Sequence, residues 1–304
     1  MANKKRFFHG KFTAAKYSKL LAIAVTLALI TYVGMVLVPQ NIFANQMSYQ
    51  NNEVCSDLTN PQFEQVTFLS GKLILHGFIH KPEGNGLFPA ILMNHGSEQF
   101  PKSGQKIAKP YVNKGYVVFF PHRRGQGCSS SQSEYIMDLI NREPATTRDK
   151  QFVELQETHL EDVVAALSYL KQLPYVNKNR IIMAGGSFGG IQTVLATEKQ
   201  IGIRASIAFA PAAQTWSTYT LLRSRLIKAV RSATVPIMLI QAENDYDLTP
   251  TKTMAKELEK VNKPHKLLIF PAFGTTHAEG HGFCAWGEKV WGDEVFSFLA
   301  RVAP

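Results

Sequence analysis

The sequence predicts an α/β domain: a mostly parallel central sheet of about eight strands, covered by helices on both faces. Three observations predict it. Short apolar and β-branched runs recur through residues 65–304. From residue 107 onward they alternate with helix-compatible stretches, the pattern of parallel strands joined by crossover helices. The first two runs, 65–70 and 72–80, are separated only by Gly71 and read as an antiparallel pair.

The turn Lys81-Pro-Glu-Gly-Asn-Gly86 leads into a third strand at 88–93. A helix follows near 107–113 and a strand at 117–120. Residues 126–157 are polar and long for a connection, so a cap over the pocket is one expectation and a surface excursion the other. A helix is expected over 158–170, where Val163, Val164, Leu167 and Leu170 form an apolar stripe. Further strands are expected just before Ser187 and at 205–210, 237–241 and 266–270, with a closing helix over 287–300. Ligands of such sheets bind outside the carboxyl ends of the strands.

The chemistry is concentrated in RIIMAGGSFGGIQTV (180–194). An apolar strand runs into Gly185-Gly-Ser187-Phe-Gly189 and a helix follows, the context in which G-x-S-x-G presents a serine at the tip of a sharp turn. Side chains two residues to either side would collide with strand or helix, so glycine is required there. A serine needs a base, and the base an orienting acid. The run IMLIQAENDYDLTP (237–250) offers the acid at a strand end, Asp245 first and Asp247 as the fallback. After the last strand, PAFGTTHAEGHGF (271–283) offers His281, flanked by two glycines, with His277 as its competitor. Both histidines are expected in a loop. The developing oxyanion needs preorganised N–H donors. Phe188, next to the serine, supplies one, and Ser97 of the loop Met93-Asn-His-Gly-Ser-Glu98 the other. His95 in that loop is read as structural.

FPAILMNHGS, PHRRGQG, GGSFGG, ENDYDLTP and GHGF together resemble the α/β-hydrolase superfamily. Within it the chain is similar to the dienelactone hydrolase family and its prolyl-oligopeptidase-like relatives, over residues 65–304. The resemblance implies the α/β-hydrolase fold and maps the acid onto Asp245 and the base onto His281. Dienelactone hydrolases proper use cysteine where this chain has Ser187, which favours a serine esterase over a dienelactone substrate. It implies a small-molecule ester substrate and neither metal nor organic cofactor. Two rival readings are a prolyl-oligopeptidase-like peptidase and a hydrolase-fold binding protein whose catalysis has lapsed. The first lacks residues for a propeller domain, and the second would carry a broken triad.

The net charge of +10 is uneven: Lys4, Lys5, Arg6, Lys11, Lys16 and Lys19 all precede the first acid, Glu53. What remains is too weakly basic for a nucleic-acid partner. Those cations form a leader (1–19) before an uncharged run at 20–38, LLAIAVTLALITYVGMVLV. As a helix that run would reach roughly 28 Å, close to the bilayer core. An uncleaved signal anchor, a cleaved signal with a site near Ile42-Phe-Ala44 and a buried soluble helix are the alternatives. The first two place the domain outside the cytoplasm, membrane-anchored in one case and secreted in the other. Residues 39–64 read as a linker rich in Asn and Gln. Of three cysteines, Cys128 and Cys284 are candidates for a bridge across one sheet edge, or else apolar fillers.

Overall fold

The computed structural model describes Cys55 and residues 63–304. The basic leader, the apolar run 20–38 and the linker apart from Cys55, Phe63 and Glu64 lie outside the described residues. Among the described residues, no helix is long and apolar enough to cross a membrane.

Eight strands form one sheet: β1 (Glu64–Ser70), β2 (Leu73–His80), β3 (Phe88–Asn94), β4 (Val117–Pro121), β5 (Val176–Gly186), β6 (Ala205–Phe209), β7 (Ile237–Ala242) and β8 (His265–Phe270). Their spatial order is β1-β2-β4-β3-β5-β6-β7-β8. β2 pairs antiparallel with β1 and β4, and every other pairing is parallel. Strands buried on both faces have to be apolar throughout. In β3 and β5, Ala90, Leu92, Ile181 and Met183 pack into one core while Ile91, Met93, Ile182 and Ala184 pack into the other. The register places Asn94 beside Gly185, Gly186 beside Phe209 and Ala242 beside Phe270. The loops after β3, β5, β7 and β8 therefore leave the sheet at one edge.

The helices are α1 (Gln105–Asn113), α2 (Ile136–Arg142), α3 (Ala145–Leu170), α4 (Phe188–Ala196), α5 (Thr220–Arg231), α6 (Thr249–Lys260), α7 (His277–His281), α8 (Phe283–Trp286) and α9 (Glu288–Val302), with a 3₁₀ turn at Gly127–Gln132. Two segments differ from the sequence expectation. The stretch read as a long connection is helical from Ala145, so α3 has 26 residues and not the 13 of the predicted 158–170. Between Ala145 and Glu157 only Phe152 and the polar Gln156 are buried, too few to show a helical period. The histidine-bearing loop contains α7, started by a capping box in which Thr276 and Glu279 bond each other's backbone N–H.

The cysteine pairing also corrects the sequence reading. Cys128 is bonded to Cys55, and Cys284 is a buried free thiol. Cys284 lies under the serine turn: a Cβ built on Gly186 would fall 3.3 Å from the Cys284 Cβ. Burial pushes its thiol well above the usual range, so it is a small apolar filler and not a reactive group.

Candidate active site

Ser187 joins β5 to α4 with φ 56° and ψ −118°. A non-glycine residue there holds backbone strain of about 1–3 kcal/mol, which the surroundings must impose. They do: Ser187 N–H donates to Phe209 O (3.0 Å), and Ser187 O accepts from Ile191 N–H (3.0 Å) to open the helix. The flanking glycines are forced by backbone contact. A Cβ on Gly189 would fall 2.0 Å from Asn94 O, and one on Gly185 would fall 2.5 Å from Gly189 O. Phe188 is the first residue of α4, where N–H groups have no intrahelical acceptor.

Asp245 and His281 meet. His281 Nδ1 donates to Asp245 Oδ1 at 2.8 Å, with the carboxylate side chain fully buried and the imidazole 15% exposed. The carboxylate is held on both oxygens: Tyr246 N–H donates to Oδ1 (2.6 Å), and Gln241 Nε2 donates to Oδ2 (3.0 Å). Asp247, the fallback acid, accepts from Thr249 N–H (2.8 Å) at the start of α6. His277, the rival base, is exposed and donates through Nδ1 to Asn244 O (2.9 Å). Asn244 ties the β7 loop to the β8 loop: its Nδ2 reaches Phe273 O (3.0 Å) and Thr276 O (2.9 Å), and its Oδ1 accepts from Phe273 N–H (2.8 Å).

Ser187 and His281 line one cleft of about 630 Å³, together with Gly96, Glu98, Lys102, Lys106, Phe120 and Trp286. Gly96 stands against the serine, since a Cβ built on it would be 3.7 Å from Ser187 Cβ. Ser97 lies between two lining residues, although its own side chain is not among the lining groups; its carbonyl accepts from Tyr135 Oη (2.5 Å). None of the residues 126–157, expected as a cap, lines this cleft. Among the described residues, no cluster of three or more His, Cys, Asp or Glu side chains could hold a metal ion.

His95 is buried behind this loop, where desolvation holds its pKa well below the usual histidine value. Its Nε2 accepts from Arg123 N–H (3.3 Å), which leaves Nδ1 to donate to Gly96 O (3.0 Å). A neutral imidazole so engaged has a structural task, as expected. Arg123, Gln241, Asn244 and Tyr135 were assigned no role from the sequence. The signal for Gln241 was a polar residue inside an otherwise apolar buried strand.

Residues 75–296 match the model of the dienelactone hydrolase family, and the chain belongs to that family. A curated relative, "Quorum-quenching protein AidA" of Acinetobacter baumannii (strain MDR-ZJ06), is 27% identical over 133 residues, 43% of this chain and 38% of that protein. Among solved structures, the Pyrococcus horikoshii acylaminoacyl peptidase superposes with a TM-score of 0.62 at 18% identity, covering 83% of this chain and 44% of the peptidase. DcsB, solved in complex with its substrate analogue, superposes with a TM-score of 0.60 at 15% identity, covering 79% of this chain and 99% of DcsB. The match thus spans less than half the length of the first two relatives. At these identities the structural likeness establishes the fold.

Proposed function

We propose that the protein is a serine esterase in which Ser187, His281 and Asp245 act as a triad on a small-molecule carboxylic ester. The observation that carries this reading is the Asp245–His281 hydrogen bond of 2.8 Å, made by an imidazole that lines the same cleft as a backbone-strained Ser187. With Nδ1 committed to the carboxylate, Nε2 is the nitrogen free to take a proton. Ser187 Oγ attacks the ester carbonyl and passes its proton to His281 Nε2. The tetrahedral oxyanion accepts from the Phe188 and Ser97 N–H groups. Collapse breaks the bond to the alcohol oxygen, which leaves with the proton from His281, and an acyl-serine remains. Water repeats the sequence and frees the acid.

The test is an ester panel on the full-length chain beside Ser187→Ala. That variant is expected to keep its fold and lose at least about 10³ in kcat. Retention of most activity would refute the assignment. Hydrolysis of peptide p-nitroanilides with inertness toward p-nitrophenyl esters would make the triad that of a peptidase. A folded protein inert to both, and to fluorophosphonate labelling, would be a binding module.

The domain is placed outside the cytoplasm in this reading. The basic residues ahead of the uncharged run 20–38 support an inside N-terminus, and the Cys55–Cys128 bridge suits an oxidising compartment.

A further inference from the structure

Behind the loop that follows β3 lies a buried cation for which the triad has no use. Arg123 is 1% exposed. Its neighbour Arg124 takes the Asp162 carboxylate, whereas the Arg123 guanidinium bonds two backbone carbonyls: Nη1 donates to His95 O (2.9 Å) and Nη2 to Gly96 O (2.6 Å), with Nη2 also 3.1 Å from His95 Nδ1. Desolvation lowers its pKa to about 10, which still leaves it charged near neutrality. Burying such a charge costs several kcal/mol, and an apolar side chain of similar volume would fill the space without that cost.

The bonds to Arg123 begin a longer pattern. Ser97 O accepts from Tyr135 Oη (2.5 Å), Glu98 O from Gln126 Nε2 (2.8 Å) and Gln99 O from Gly127 N–H (2.8 Å). Carbonyls of residues 95 to 99 are thus all drawn toward the segment after β4. The described peptide bonds are trans, and in a trans peptide the C=O and the following N–H point in opposite directions. Fixing Gly96 O on the guanidinium therefore aims the Ser97 N–H away from Arg123. Gly96 itself stands against Ser187, so the peptide that carries this N–H lies beside the nucleophile.

We propose that Arg123 is a positioning residue: by holding the His95 and Gly96 carbonyls it fixes the Ser97 N–H as a donor to the oxyanion formed at Ser187. This rests on the reading of Ser187 as the nucleophile. Arg123 touches no substrate, so its contribution belongs to the transition state and not to substrate binding.

The experiment compares full-length Arg123→Met and Arg123→Lys with the unmodified protein on p-nitrophenyl acetate, with a trifluoromethyl ketone as probe of the tetrahedral adduct. Arg123→Met should lower kcat about 10²–10³-fold, the loss typical of one oxyanion donor, with KM within about threefold. Affinity for the ketone should fall by the same factor as kcat/KM. Arg123→Lys should fall between, because one ammonium cannot span both carbonyls as the planar fork does. A folded Arg123→Met with kcat within about threefold of the parent, or a loss confined to KM, overturns the proposal. Should Arg123→Met not fold, the same criteria applied to Arg123→Lys decide. Activity surviving in Ser187→Ala would instead sink the nucleophile assignment on which the proposal stands.

Discussion

The two walls of the cleft are held in opposite ways. The loop after β3 is gripped from behind through its carbonyls, by Arg123, Tyr135, Gln126 and Gly127, in an interior where His95, His122 and His159 are all buried. The loops after β7 and β8 are held through side chains at a wetter surface, where His277 and Glu279 are exposed and Asn244 bridges the two segments. The contrast matches what each wall would do in the proposed mechanism. Donors facing a developing charge work best when they cannot move, so a dry clamp on the backbone suits them. An imidazole that accepts a proton from serine and returns it to a leaving group needs an anchored Nδ1 and a solvated, adjustable surround.

Three outcomes would break or sharpen that contrast, beginning with the largest. Asp245→Asn should lower kcat by about 10⁴, as expected when the orienting acid becomes an amide and the wrong tautomer results. A loss below tenfold with an unchanged circular-dichroism spectrum would mean that the wetter wall does not orient the base.

The dry wall should instead respond to acid. Burial lowers the His122 pKa from 6.5 to about 4, and those of His95 and His159 fall well below the usual value for the same reason. Between those limits the unfolded chain binds protons that the folded chain refuses. Stability is therefore complete above about pH 6.5 and is lost as pH falls toward 4, by about 3 kcal/mol for His122 alone. Urea midpoints at pH 7.5 and pH 4.5 measure this, and a flat profile would show that these histidines are not desolvated.

The smallest effect is expected at Asn244→Ala, which removes three hydrogen bonds between the β7 and β8 loops and should cost about 2 kcal/mol by urea unfolding. A larger fractional loss in kcat than in the affinity for substrate would show that the bridge serves His281 as well as stability.

Most of the sheet could be read from the sequence, because parallel strands buried on both faces are near-continuous apolar runs that few other elements imitate. The places of Ser187, Asp245 and His281 in the fold were legible for a related reason: each lies in a segment that follows the carboxyl end of a strand. The first half of α3 was hidden, since only Phe152 and the polar Gln156 are buried between Ala145 and Glu157 and they make no apolar stripe. The helical setting of His281 carried a visible mark, the Thr276 and Glu279 spacing, that the surrounding glycines masked. The clamp on residues 95–99 could not be seen at all. Its acceptors are backbone carbonyls, which every residue possesses, and its donors are ordinary Arg, Tyr and Gln side chains and one backbone N–H, brought there only by the fold.

The Cys55–Cys128 bridge gives the molecule an unusual response to proteolysis. A single cut between residues 56 and 62 would sever the chain without liberating the folded domain, because the preceding fragment stays linked through sulfur. Separating residues 63–304 from residues 1–55 would then take two agents, a protease and a reductant, whereas a cut upstream of Cys55 would need only the first.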